Sequence, residues 1–212
     1  MVDTYNPDLL SRSGLNTLMF EDPYAKLDYL AGLVQSAERV VYVDLDTTMT
    51  AYISTGFIRP NRIAVFLPSK GRFMSSFKDA ISAAQNSSLV VFDSVNSFYS
   101  VYYDYSVSAG GQSIGDLNRL LSVCLMLLLR QAISCNVPML VTSMLRYRKD
   151  GGWKQSPASR RLLQQKSATK MKVKRSDDAV ILEIVQHPEI KPGTVLSYSP
   201  TLSGLQSGIQ AR

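Results

Sequence analysis

The sequence predicts an α/β domain built on a mostly parallel sheet flanked by helices, with a C-terminal antiparallel β extension. Three observations predict it. Strands such as Val40–Asp44 (VVYVD) and Leu89–Asp93 (LVVFD) are apolar at every position up to a closing carboxylate, the pattern of strands covered on both faces. Helix-like stretches separate most of these strands, as crossovers between parallel strands require. Beyond Ser143 the texture changes to strands joined by short turns at Asp177-Asp178 and Pro192-Gly193.

Taken in order, residues 1–14 form an N-terminal segment, one core spans 15–200, and the small, polar residues 201–212 read as a flexible tail. Leu15–Phe20 (LNTLMF) is a short apolar strand, followed by Pro23 and a helix over Lys26–Ser36. Val40–Asp44 and Ile63–Leu67 are the next strands, β-branched and aromatic in character. Met74–Ala84 reads as a helix and Leu89–Asp93 as the fourth strand. A loop rich in Tyr, Ser and Gly is expected from Asn96 to Gly111. A long helix over Asp116–Ser134 and a fifth strand, Pro138–Ser143, complete the parallel part. Lys170–Arg175, Ala179–Gln186 and Thr194–Tyr198 supply the C-terminal strands.

Composition narrows the function classes. The net charge is +6, but residues 146–175 hold eleven of the 23 Lys and Arg against one acid, Asp150. That segment carries +10 and the rest of the chain −4, which points to a polyanionic partner. Cys124 and Cys135 lie among apolar neighbours and read as reduced, buried thiols, and one histidine without a Cys/His cluster argues against zinc. The opening stretch MVDTYNPDLLSRSG does not read as a signal peptide. The apolar run Leu120–Leu129 is ten residues long and broken by Ser122, so a buried helix is expected there rather than a membrane span. A soluble, cytoplasmic protein is the expectation.

The segment LVVFDSVNSFYSVYY (89–103) resembles the Walker B strand of the RecA/RadA recombinases: an apolar strand, an Asp-Ser pair, and tyrosines a few residues on. The downstream segments are similar in their order too. Gly110-Gly111, LLLRQA (127–132), VPMLVTS (137–143), Gly151-Gly152, SATKMKVKR (167–175) and HPEIKPGTVLSYS (187–199) extend the likeness over residues 15–200. The resemblance implies a RecA-like core, archaeal-like in type, that associates into homo- or hetero-oligomers. It also implies partners: single-stranded DNA or RNA, and a RecA/RadA-type recombinase or related paralogue, in homologous recombination and DNA repair.

The likeness fails in the first loop. A phosphate-binding loop needs G-x-x-x-x-G-K-[ST], because glycines expose backbone N–H groups and the final hydroxyl holds Mg²⁺. Here the stretch is FEDPYAKL (20–27), with no glycine, two acids, a proline without a donor, and Leu27 in the hydroxyl position. Lys26 reads either as a remnant of the motif lysine or as an ordinary helix-face lysine. In the family a glutamate after the second strand activates water; VDLDTT (43–48) offers the shorter Asp46. Lys26, Asp46, Asp93 and Ser94 are therefore expected to form a vestigial nucleotide site. Asp44, Asp46 and Asp93 read as structural residues at strand ends, with no catalytic residue, metal or cofactor.

In recombinases the loop after the fifth strand contacts single-stranded DNA, and the resemblance implies that location for the basic segment. Arg146, Arg148, Lys149, Lys154, Arg160, Arg161 and Lys166 would neutralise phosphates. Tyr147 and Trp153 would stack on bases, and Gly151 and Gly152 would let the loop close. The bland alternative is a solvated basic loop. Phe98, Tyr99, Tyr102, Tyr103 and Tyr105 form a second aromatic cluster, read either as core or as a protomer interface. His187 is assigned no role. Alternatives to the pseudo-ATPase are a RecA-like scaffold subunit of a ring complex such as Elongator, acting in tRNA modification, an unconventional ATPase using Lys26 and Asp93, and a regulatory KaiC-like module.

Overall fold

The computed structural model describes residues 3–69, 71–108, 114–149, 152–155, 163–176 and 178–202. Among the described residues nine strands form one sheet in the order β3-β2-β4-β5-β1-β7-β8-β9, with β6 paired to β5. They are β1 Leu15–Phe20, β2 Val40–Asp44, β3 Ile63–Phe66, β4 Leu89–Asp93, β5 Met139–Arg148, β6 Gly152–Gln155, β7 Ser167–Ser176, β8 Ala179–Gln186 and β9 Val195–Tyr198. Pairing from β3 through to β7 is parallel, and β8 and β9 add antiparallel strands. The expected architecture is therefore present: a parallel sheet with a C-terminal antiparallel extension.

Helices cover both faces. On one, α1 (Pro23–Ser36) and α2 (Thr48–Ser54) bury Leu30, Leu33 and Met49 against Leu18, Tyr42 and Leu182. On the other, α3 (Phe73–Ala83), α4 (Val95–Ser108) and α5 (Ile114–Ser134) bury Phe77, Phe98, Leu121 and Leu128 against Val41, Phe92 and Val141. Every residue of β2 and of β4 is buried, which is why both read as uninterrupted apolar runs.

Three parts differ from the sequence-based expectation. The stretch from Asn96, expected as a loop, is α4: Val95, Phe98 and Tyr102 recur at helical spacing and enter the core. Phe98 and Tyr102 stack with centroids 5.0 Å apart, and Phe73 meets the Tyr102 ring edge-on at 4.6 Å. The start of the basic loop is a hairpin, because β5 runs on to Arg148 and pairs antiparallel with β6. The expected tail is fastened at its start, where the backbone N–H groups of Thr201 and Leu202 donate to Asp28 Oδ1 at 2.5 and 3.0 Å.

α5 is also longer than the apolar run within it. Over Gly115–Ser134 it is long and apolar enough to cross a membrane by length and composition, but its inner face, with Leu117, Leu121, Cys124 and Leu128, belongs to the core. His187 serves its turn: Nδ1 accepts from the N–H groups of Glu189 and Ile190, so Nε2 carries the proton and donates to the Leu9 carbonyl at 3.0 Å.

Candidate functional site: a closed cation site beside a basic hairpin

The C-terminal ends of β1, β2, β4 and β5 meet at one edge of the sheet, where open α/β sheets place their ligands. The turn after β1 is short and already committed. Asp22 caps α1 by accepting from the Tyr24 N–H at 2.9 Å, and Pro23 takes the first helical position. Glu21 pairs with Lys172 on β7. The two acids that depart most from a phosphate loop thus build the helix start and tie it to the sheet.

One turn into α1, Lys26 points inward and is only 2% exposed. Its Nζ donates to Asp46 Oδ2 at 2.9 Å and to both oxygens of Asp93 at 2.9 and 2.8 Å, and it lies 5.3 Å from the centre of the Phe20 ring. Asp93, fully buried at the end of β4, also accepts from Tyr42 Oη at 2.6 Å and Thr142 Oγ1 at 2.5 Å. Neither of those two partners was anticipated from the sequence. Lys26 is thus no solvated helix-face lysine. The structure brings it together with Asp46 and Asp93, while Ser94, joined to Asp93 by a cis peptide bond, shares a 2.9 Å hydroxyl contact with Ser97.

Electrostatics follow from this geometry. Burial works against a charged Lys26, yet Asp93 and Asp46 outweigh it and raise the ammonium above its ordinary value. Burial would raise Asp46, but the Lys26 charge and its hydrogen bond, with the Thr48 N–H, hold it below the usual carboxylate range. Asp44 pairs with no lysine among the described residues. Burial, with the nearby charges of Asp46 and Asp93, pushes it up to about 6 despite two hydrogen bonds from Thr50. Its Oδ1 is buried with no hydrogen-bond partner among the described residues. Tyr42 is held well above its usual range by burial first and by Asp93 second.

Carboxylate oxygens of Asp44, Asp46 and Asp93 lie within 4.8 Å of one another, a spacing that could hold a divalent cation. The Lys26 ammonium already binds two of the three, standing where a metal charge would act. A magnesium nucleotide does not fit this donor set. The lysine is spent on carboxylates, Pro23 offers no N–H, and two acids flank the turn. The adjoining cavity of about 320 Å³ is at the small end for a ligand pocket. It is lined by Phe20, Pro23 and Met144, by the polar Thr48, Asn96, Ser97 and Ser100, and by Arg146.

Arg146 leads into the hairpin. Arg146 pairs with Lys154, and Tyr147 with Trp153, whose rings meet at 5.7 Å and 69°. Alternation along strands puts the cations on one face and the rings on the other, a separation that sequence spacing does not reveal. Tyr147 is 64% and Trp153 46% exposed, and Arg146, Lys149, Lys154 and Lys166 are exposed. Gly152 has φ +69°, a backbone conformation that favours glycine, at the start of β6. Gly151, Arg160 and Arg161 lie outside the described residues, as do Gly110 and Gly111, and so do the side chains of Arg148, Tyr103 and Tyr105. In the second aromatic cluster, Phe98 and Tyr102 are core, and Tyr99 donates to Asn118.

No protein-family model matches the chain, and a search of curated proteins finds no match. Among solved structures, the crystal structure of the RadB recombinase is similar with a TM-score of 0.60 and 18% identity, over 94% of this chain and 96% of that one. At that identity the likeness speaks for the fold, and it spans both the parallel core and the antiparallel extension. The chain has the fold of the RecA-type recombinases.

Proposed function

We propose that this protein is a non-catalytic RecA/RadA-like paralogue that binds single-stranded nucleic acid through the β5–β6 hairpin and supports a recombinase partner in homologous recombination and repair. The observation that carries the reading is the exposed Tyr147–Trp153 pair set back-to-back with Arg146 and Lys154. Flat rings left in solvent beside cations with no acidic partner among the described residues are the chemistry of sequence-tolerant strand binding. The ribbon is two strands, about 5 Å, wide, so long cationic side chains reach round its edge to the phosphates of a strand stacked on the rings. The closed Lys26 site supports the non-catalytic half, since its charges are satisfied without nucleotide.

Trp153 is the chain's only tryptophan, so fluorescence excited at the red edge, where tyrosine does not absorb, reports on this surface. Oligothymidylate should quench it, and Trp153→Ala should weaken binding by about 1–3 kcal/mol. Arg146→Ala with Lys154→Ala should reduce the slope of log K against log salt by about 1.4, at about 0.7 per phosphate contact. Unquenched fluorescence and an unchanged salt slope would remove the reading. Stronger binding of folded tRNA than of single-stranded DNA would favour the ring-scaffold alternative. Calorimetric titration with Mg-ATP should show no binding; micromolar affinity with turnover would sink the non-catalytic assignment.

A further inference from the structure

α5 is apolar around most of its circumference, and a helix of that kind is expected to be enclosed. Its inner face is. On its outer face Val123 is 54%, Met126 38%, Leu127 47% and Ile133 42% exposed. These positions recur at intervals of three, four and six or seven residues, so they form one stripe about 15 Å long at 1.5 Å per residue. Arg119 and Arg130 punctuate it. Arg119 has an 86% exposed side chain and only a 3.6 Å contact with Asp116, and Arg130 has no acidic partner among the described residues.

We propose that this stripe docks an acidic amphipathic helix of a partner protein. Val123, Met126 and Leu127 take the i, i+3 and i+4 positions by which such a helix is held, with Arg130 at i+7 and Ile133 beyond it, and the guanidinium groups of Arg119 and Arg130 select carboxylates beside the partner's apolar anchors. A second copy of the chain is a poor occupant, since it would bring the same arginines to the seam and carries the same +6 charge. Crossing a bilayer would draw Leu117, Leu121, Leu125 and Leu128 out of the core. The site lies on a helix layer and does not depend on the nucleic-acid reading of the hairpin.

The test uses the full chain and a fluorescein-labelled 20-residue helix with leucine at the anchor positions and glutamate elsewhere, read by anisotropy. A lysine-for-glutamate counterpart is the control. The acidic peptide should bind at least about tenfold more tightly than the basic one. Leu127→Ser should lower its affinity about tenfold, and Arg119→Glu with Arg130→Glu should reverse the preference in favour of the basic peptide, with circular dichroism and melting unchanged. Equal affinities, or no binding, overturn the proposal. So does sedimentation showing a dimer that Leu127→Ser dissociates, which gives the face to a second copy. Co-sedimentation with anionic phosphatidylserine vesicles that the same substitution abolishes also overturns it, giving the face to a membrane.

Discussion

Replacing Lys26 with methionine tests the closed site directly. The side chain keeps its length and loses its charge, leaving Asp93 fully buried and Asp46 a quarter exposed without their cation. Removing one partner of a buried ion pair costs about 3–5 kcal/mol, because the surviving charge is stranded in a poor solvent for it. Here two carboxylates lose a single ammonium, but Tyr42 and Thr142 still donate to Asp93 and the Thr48 N–H to Asp46, which places the loss near the lower bound. With a urea m-value of about 2–3 kcal/mol/M the midpoint falls by about 1–2 M. The sign of the pH dependence is fixed as well. Lys26 is raised in the fold, so its contribution is complete below its unfolded value of 10.5 and is lost as pH rises through the folded one. Asp46 is lowered, so its share is present above 3.8 and is lost as pH falls through its folded value. The gap between wild type and Lys26→Met should therefore be a plateau across neutral pH that narrows toward both extremes. Adding Asp93→Asn should recover part of the loss. A change below about 1 kcal/mol at pH 7, the scale of a surface lysine, would refute the buried-cation account.

Two further substitutions probe the surroundings. Asp44, raised to about 6, is protonated in the fold before it is in the unfolded chain, so its contribution grows as pH falls through 6 and is complete below 3.8. Its ionisation costs about 3 kcal/mol at neutral pH by the usual conversion, so Asp44→Asn should stabilise at pH 8 by up to about that amount and change little at pH 4. Parallel urea midpoints for both proteins across that range would argue against the raised carboxyl. Gly32→Ala would drive a methyl into the Tyr5 ring, which is already stacked on Tyr198 at 4.6 Å. A loss of about 1–3 kcal/mol in thermal or urea melts is expected, and Tyr5→Ala in the same chain should abolish most of the difference.

The sheet was legible because its central strands β2 and β4 are buried on both faces, and burial writes itself into sequence as unbroken runs like VVYVD. The site was only half legible. Asp46, Asp93 and Lys26 could be found by spacing against a known pattern, but Tyr42 and Thr142 reach Asp93 from strands on either side of β4, and that adjacency exists only once strand order is known. Two stretches whose structure differs from expectation did carry signals. Val95, Phe98, Tyr99 and Tyr102 follow helical periodicity, which the local density of Tyr and Ser obscured. Likewise the Asp150-Gly151 dipeptide between RYR and WKQ is a hairpin signature, masked by the run of basic residues around it. The opposite-face sorting of rings and cations comes from that hairpin.

The outermost strand, β9, does not face solvent bare. Asp3 lies alongside it, its N–H donating to the Ser197 carbonyl at 2.6 Å and its carboxylate accepting from the Ser197 N–H at 2.8 Å, while Tyr5 donates to the Ser199 carbonyl. A naked β border recruits neighbours, and this one is hemmed by a few residues from the far side of the sequence. Peeling that hem away would leave a sticky margin, so the same short contact that finishes the sheet also keeps neighbouring molecules from stitching themselves onto it.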